Sequence, residues 1–140
     1  MPSSERVSSY PRGYIVQYSP IKGMIAESYW EKAMDPDITS NESWKYCRKA
    51  AELGHVEGMV TFGTAYFTGE SSSTEIHQDK VIGFEWMMKA AKKGHAYSQL
   101  FVAFCYRNGT VVSQDQEIAR KWCMKAAKQG YAPAIFELGD

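Results

Sequence analysis

The sequence predicts an all-α chain of stacked helical hairpins, and three observations predict it. One ten-residue segment recurs three times, a second short element precedes it, and the flanking residues are those that start and stop helices.

The recurring segment reads Tyr46-Cys47-Arg48-Lys49-Ala50-Ala51-Glu52-Leu53-Gly54-His55, then Trp86-Met87-Met88-Lys89-Ala90-Ala91-Lys92-Lys93-Gly94-His95, then Trp122-Cys123-Met124-Lys125-Ala126-Ala127-Lys128-Gln129-Gly130-Tyr131. An aromatic residue, Lys-Ala-Ala and a glycine keep their spacing. The element ahead of it is Phe62-Gly63-x-x-Tyr66-x-x-Gly69 or Val102-Ala103-x-x-Tyr106-x-x-Gly109, with a weaker copy at Ile25-Ala26-x-x-Tyr29. Two elements per unit make a hairpin of helix A, loop and helix B. Residues 134–139 match only the start of another helix A. The expected organisation is an N-terminal extension over residues 1–20 and a repeat domain over 21–140, with hairpins at about 21–55, 56–95 and 96–131 and a partial unit at 132–140.

Gly54 and Gly94 are 40 residues apart and Gly94 and Gly130 are 36 apart, so the middle copy carries four extra residues. Comparison of the loops assigns them to Ser71, Ser72, Ser73 and Thr74, expected in a longer surface loop. Asp79 and Asp115 stand seven residues ahead of the helix B tryptophans, where a carboxylate accepts from free N–H groups and opposes the helix dipole. Thr39 takes that place in the first copy, with Glu42 completing a capping box. Gly54, Gly94 and Gly130 follow Lys- or Glu-rich last turns, where a glycine of positive φ ends a helix and cations suit the carbonyls. In helix A, Gly63 and Ala103 let another backbone come close, and Tyr66 and Tyr106 share their face and fill the space beyond.

The combination Gly/Ala-x-x-Tyr-x-x-Gly, loop, Asp, Trp-x-x-Lys-Ala-Ala-x-x-Gly resembles the Sel-1-like repeat family, relatives of tetratricopeptide repeats, over about residues 21–139. The chain departs from that pattern at Tyr46, where tryptophan is usual, at Val111, which holds the loop's second glycine position, and after Tyr29, where a glycine is missing. The resemblance implies a right-handed α-α superhelix that works as a non-enzymatic scaffold binding a protein partner. It further implies a bacterial immunity protein that blocks a cognate secreted toxin or effector. The alternatives are an adaptor in a secretion or signalling assembly and, from another class, a hydrolase of β-lactam type. The last requires a nucleophile and base in one cleft, and the sequence offers neither.

In a solenoid of hairpins helix A lines the concave side. Counted from the tyrosine, positions −4, −3 and 0 pack inward, which leaves −5, −2 and +1 for a partner. This stripe comprises Met24, Glu27 and Trp30, then Thr61, Thr64 and Phe67, then Phe101, Phe104 and Arg107. Methionine, aromatic residues and arginine dominate it, the types that anchor interfaces. The alternative use of Phe101 and Phe104 is packing against neighbouring helices. The segment Gly13-Tyr14-Ile15-Val16-Gln17-Tyr18 is expected to cap the first hairpin, or to order on binding. A chain stopping at Asp140 is expected to leave an apolar edge of Ile135, Phe136 and Leu138 able to pair in a homodimer.

Sixteen basic and sixteen acidic residues balance, so no net field recruits nucleic acid or an anionic membrane. No run of eighteen apolar residues and no signal-peptide core is present, and a cytoplasmic location is expected. Cys47, Cys105 and Cys123 lack CxxC spacing and read as buried reduced thiols. His55 and His95 are repeat positions, suited to packing or capping, while His77 lies between Glu75 and Asp79 as a weak metal hint. Lys49, Lys89 and Lys125 recur on one side and read as a solvated face. No phosphate loop, HExxH or GxSxG occurs, and no catalytic residue, metal or cofactor is expected.

Overall fold

A computed structural model describes residues 20–139. The extension through residue 19, with its expected capping segment, lies outside the described residues. Seven helices follow in order: α1 Pro20–Ala33, α2 Ser40–Glu52, α3 Val56–Thr68, α4 Lys80–Lys92, α5 Ala96–Asn108, α6 Gln116–Lys128 and α7 Ala132–Gly139. No strand occurs among the described residues. Each helix packs chiefly on the one before and the one after it, so the core runs along the stack. The architecture is the expected all-α repeat fold: α1/α2, α3/α4 and α5/α6 are the hairpins, and α7 is a further helix A.

The backbone of the three joints from helix B to helix A repeats, and in the first two a histidine side chain adds a cap. Gly54, Gly94 and Gly130 have φ of +95°, +98° and +83°. Their N–H groups donate to the carbonyls of Ala51, Ala91 and Ala127, and those of His55, His95 and Tyr131 donate to Ala50, Ala90 and Ala126. This double bond pattern is a Schellman ending. The histidine that completes it also begins the next helix, because His55 Nδ1 accepts from Gly58 N–H and His95 Nδ1 from Ser98 N–H, each at 3.2 Å. Two residues thus end one helix and cap the next. Neighbouring joints are tied as well: Gln129 Nε2 donates to the Gly94 carbonyl at 2.8 Å and to Gln99 Oε1 at 2.9 Å.

Helix B starts as the sequence predicts. Thr39 and Glu42 form the capping box, Asp79 accepts from Val81 and Ile82 N–H, and Asp115 accepts from Ile118 N–H. The loops from A to B are held by the Asp79 and Asp115 N–H groups, which donate to the Tyr66 and Tyr106 carbonyls at 2.7 and 2.8 Å.

Within the second hairpin the helices meet on bare backbone. A Cβ on Gly83 would lie 2.6 Å from Phe67 N and 2.7 Å from the Gly63 carbonyl, and one on Gly63 would lie 2.7 Å from the Met87 side chain. Ala103 and Ala119, both buried, stand at these places in the third hairpin. In the first they are Ala26 and Ser43, whose hydroxyl donates to the Ala33 carbonyl at 2.6 Å. Around these approaches lie three apolar clusters, centred on Phe62, on Leu100 and on Phe84.

Two expectations are corrected. The four-residue insertion is not simply a surface loop, for Ser73 is buried and Ile76, just beyond, joins the core. Asn41, in the first turn of α2, supplies the reason. Its Oδ1 accepts from Ser73 Oγ at 2.8 Å and Thr74 N–H at 3.1 Å, while its Nδ2 donates to Thr74 Oγ1 at 3.2 Å. The extra residues reach back and clamp the second hairpin onto the first. Ile25, at the inward place held by Phe62 and Val102, is 45 % exposed.

Two substitutions test this packing. Gly83→Ala overpacks backbone against backbone and is expected to lower stability by about 1–3 kcal/mol in urea unfolding. Gly23→Ala, which meets nothing within 4 Å, should raise it by about 0.5–1 kcal/mol. Val111 holds φ +69°, a left-handed conformation that a β-branched residue resists. Val111→Gly is expected to relieve about 1–2 kcal/mol of strain, against roughly 0.5–1 kcal/mol of added chain entropy, for a small rise in thermal midpoint.

Candidate partner-binding face

The stripe predicted from the repeat register occupies one side of helices α1, α3 and α5. Met24 is 72 % exposed, and Glu27 and Thr64 are exposed with it. Glu27 Oε2 accepts from His55 Nε2 at 2.8 Å. The same imidazole accepts the Gly58 N–H through Nδ1, so its proton sits on Nε2. Trp30 stacks on that ring, centroids 4.9 Å apart, which joins Glu27, His55 and Trp30 across the first joint. Thr61 spends its hydroxyl on the Glu57 carbonyl at 2.7 Å.

Farther along, the half-buried Phe67 and Phe101 meet edge to face at 4.7 Å. The Arg107 guanidinium lies 4.6 Å over the Phe104 ring, and its Nη1 donates to Glu137 Oε2 at 2.8 Å. A rule connects these contacts. Phe67 is position +1 of its repeat and Phe101 is −5 of the next; Arg107 and Glu137 stand in that same relation one repeat later. Phe67 and Phe101 are therefore partly committed to packing between repeats, whereas Arg107 keeps 44 % of its side chain exposed. The reading from sequence omitted Glu137, although its place 36 residues after Phe101 in the repeat register points to it.

Beside Phe104 and Arg107 a cleft of about 270 Å³ opens between α5, α6 and α7, lined also by Leu100, Arg120, Cys123 and Leu138. The stripe rule missed α6 altogether, since it considered helix A alone. Lys89 and Lys125 of helix B lie 4.5 Å over the rings of Trp86 and Trp122, and Lys49 lies 5.3 Å over Tyr29. All three are exposed, with their stems laid on aromatic faces. His55 and His95 are caps. His77 is exposed, and no group of three or more His, Cys, Asp or Glu among the described residues could hold a metal ion.

The three cysteines are buried and free. Burial pushes the Cys47 thiol up to about 12. It raises Cys105 to about 11 against the pull of Lys80. Cys123 is raised by burial and then by the Glu137 carboxylate, with Arg107 and Arg120 acting the other way.

A family model for the Sel1 repeat matches residues 34–55, 62–95 and 96–131. The chain belongs to the Sel1 repeat family. Proteins of this family are non-catalytic modules that mediate protein–protein interaction. The first match begins at residue 34 and leaves out α1, the helix whose copy of the pattern is weakest. Among solved structures the chain is similar to a Sel1 repeat protein from Oxalobacter formigenes, with 26 % identity, a TM-score of 0.75, and 82 % of this chain aligned to 88 % of that one. It is similar to c5321, a protective antigen of uropathogenic Escherichia coli with an SLR fold, with 25 % identity and a TM-score of 0.65, covering 90 % of this chain and 26 % of that one. Cysteine rich protein B of Helicobacter pylori shares the fold at 19 % identity and a TM-score of 0.65, over 86 % of this chain and 90 % of that one. No curated protein sequence matches the chain.

The thiols of this Sel1 repeat protein make its stability depend on pH in a stated direction. Folding raises their pKa above the ordinary 9.0, so their contribution is complete below about pH 9 and is lost as pH climbs towards 12. Urea midpoints are expected to fall over that range, and less steeply in Cys47→Ala. Iodoacetamide should label the native protein far more slowly than the unfolded chain.

Proposed function

We propose that this Sel1 repeat protein captures a partner protein on the stripe that runs from Met24 and Glu27 through Trp30, Thr61, Thr64 and Phe67 to Phe101, Phe104 and Arg107. One observation carries the reading: a continuous side of the stack mixes packed aromatic residues with exposed Met24, Glu27, Thr64 and Arg107, so that rigid apolar surface is rimmed by polar groups. The family's role in protein–protein interaction supports it. The finer proposal is an immunity protein that binds a cognate toxin in a bacterial cytoplasm. It rests on the family to which the chain belongs.

Purified protein used as bait in lysate of its native cells is expected to retain a partner in a one-to-one complex, resolved by light scattering after gel filtration. Under the immunity reading that partner is a toxin whose activity is lost on binding. Once the partner is in hand, replacing Phe104 and Arg107 together by alanine should weaken binding by tenfold or more, about 1.4 kcal/mol. Alanine at Lys49, Lys89 and Lys125 should leave it within about twofold, as exposed rim charges do. The opposite pattern moves the site to the lysine side.

A further inference from the structure

Charge balance over the whole chain conceals a partition between the two kinds of helix. The helix B elements α2, α4 and α6 carry ten of the sixteen Lys and Arg but four of the sixteen Asp and Glu, whereas α1, α3, α5 and α7 carry three and four. Helical spacing gathers the excess on one side. Positions 45, 48, 49 and 52 of α2 share a face, and the repeat register carries them to 85, 88, 89 and 92 of α4 and to 121, 124, 125 and 128 of α6. Eight of these twelve places hold Lys or Arg, against Glu52 and Glu85, and all eight cations are exposed. The ion pairs among the described residues are His55–Glu27 and Arg107–Glu137, so none of the eight is paired.

Several of these cations are held in place. Lys49, Lys89 and Lys125 lie over aromatic rings. Arg48 is fixed more firmly, for its Nη2 donates to the Tyr66 hydroxyl at 2.8 Å and its guanidinium lies 5.3 Å over the Phe62 ring. Beside it a cleft of about 190 Å³ opens between α2, α3 and the inserted loop, lined also by Trp44, Lys45, Phe62, Glu75 and Ile76. The bonds from Asn41 to Ser73 and Thr74 hold the loop wall of that cleft. Its volume suits one side chain, and the remaining N–H groups of the guanidinium are the donors that a carboxylate accepts in pairs. Met88 and Met124 stand at this place in the other two repeats, so the arginine marks this seam alone.

Such a face calls for a partner that brings negative charge. Residues 1–19 do not supply it, since they contain Glu5 against Arg6 and Arg12. A membrane or a nucleic acid presents unbroken phosphate, which Glu52 and Glu85 oppose, and the rings on which bases stack are already covered by lysine. A protein segment can place its acids to match.

We propose that this face of helix B docks an acidic segment of a partner protein, with one Asp or Glu side chain seated in the cleft on Arg48 and further acids spread over Lys49, Lys89 and Lys125. It is a second surface that shares no residue with the helix A stripe, and it stands independently of the reading above.

The test titrates the whole chain into a fluorescein-labelled peptide of about sixteen residues, an extended reach of roughly 50 Å, with glutamates spaced by Ser and Gly. Anisotropy is expected to show saturable binding that weakens tenfold or more between about 0.05 M and 0.3 M salt. Arg48→Met, which installs the residue of the other two repeats, should weaken binding tenfold or more at unchanged thermal midpoint. If that variant is unstable, Lys89→Gln with Lys125→Gln leaves the Tyr66 bond alone and should weaken binding likewise. Lys22→Gln, which removes a single charge from α1, should stay within about twofold. A loss in Lys22→Gln equal to that in Arg48→Met reduces the effect to net charge and overturns the proposal. So does the absence of saturable binding, equal binding of a lysine version of the peptide, or indifference to both helix B variants. Tighter binding of a single-stranded oligothymidylate of equal charge, or of vesicles of phosphatidylserine and phosphatidylcholine in equal parts, overturns it as well, because phosphate is then the group recognised.

Discussion

Everything in this fold depends on the two-residue joint between helix B of one repeat and helix A of the next. A glycine in the left-handed region lets two N–H groups turn back onto the alanine carbonyls of the helix it ends. The next residue, His55 or His95, closes that turn with its backbone and opens the following helix with its ring. Because one pair of residues serves both helices, the angle between them has little freedom. Three near-identical joints then stack the helices regularly. Regular stacking keeps position +1 of one repeat beside position −5 of the next, which creates a continuous face from side chains far apart in sequence.

Small residues set how closely the stack closes, and large ones set what it presents. Gly63 and Gly83 bring the α3 and α4 backbones together, and the alanine pairs at 50/51 and 90/91 do the same between hairpins. Buried area here is supplied by many short side chains in close contact, which suits a narrow stack better than a few bulky ones. The inserted loop adds a second tie. It carries Ser73 back to Asn41 and seats Ile76 on the core, so an irregularity of the repeat fastens two hairpins together.

The functional consequences follow from where the repeats differ. Conserving the joint while changing the face is how a solenoid acquires a partner without losing its fold. Within this chain the same geometric place holds two phenylalanines in one seam and an arginine–glutamate pair in the next. The first is packing that the fold needs. The second leaves charge at the surface, beside an apolar cleft.

Local rules made much of this legible in the sequence. Glycine after the last turn, Asp79, Asp115 and the Thr39–Glu42 box act over a few residues, so helix boundaries could be read directly, and the recurrence of Lys-Ala-Ala established the all-α repeat. The stripe was legible too, because helical spacing places every third or fourth residue on one side. Tertiary structure alone decided what lies across from each residue. Gly83 carried no signal of its own until α3 was placed against it, and Ser73 read as a surface-loop serine until Asn41 met it. Those partners come from other helices, up to about thirty residues away in the chain. Their meeting is set by the angle at each joint, a quantity that periodicity in a single helix does not contain.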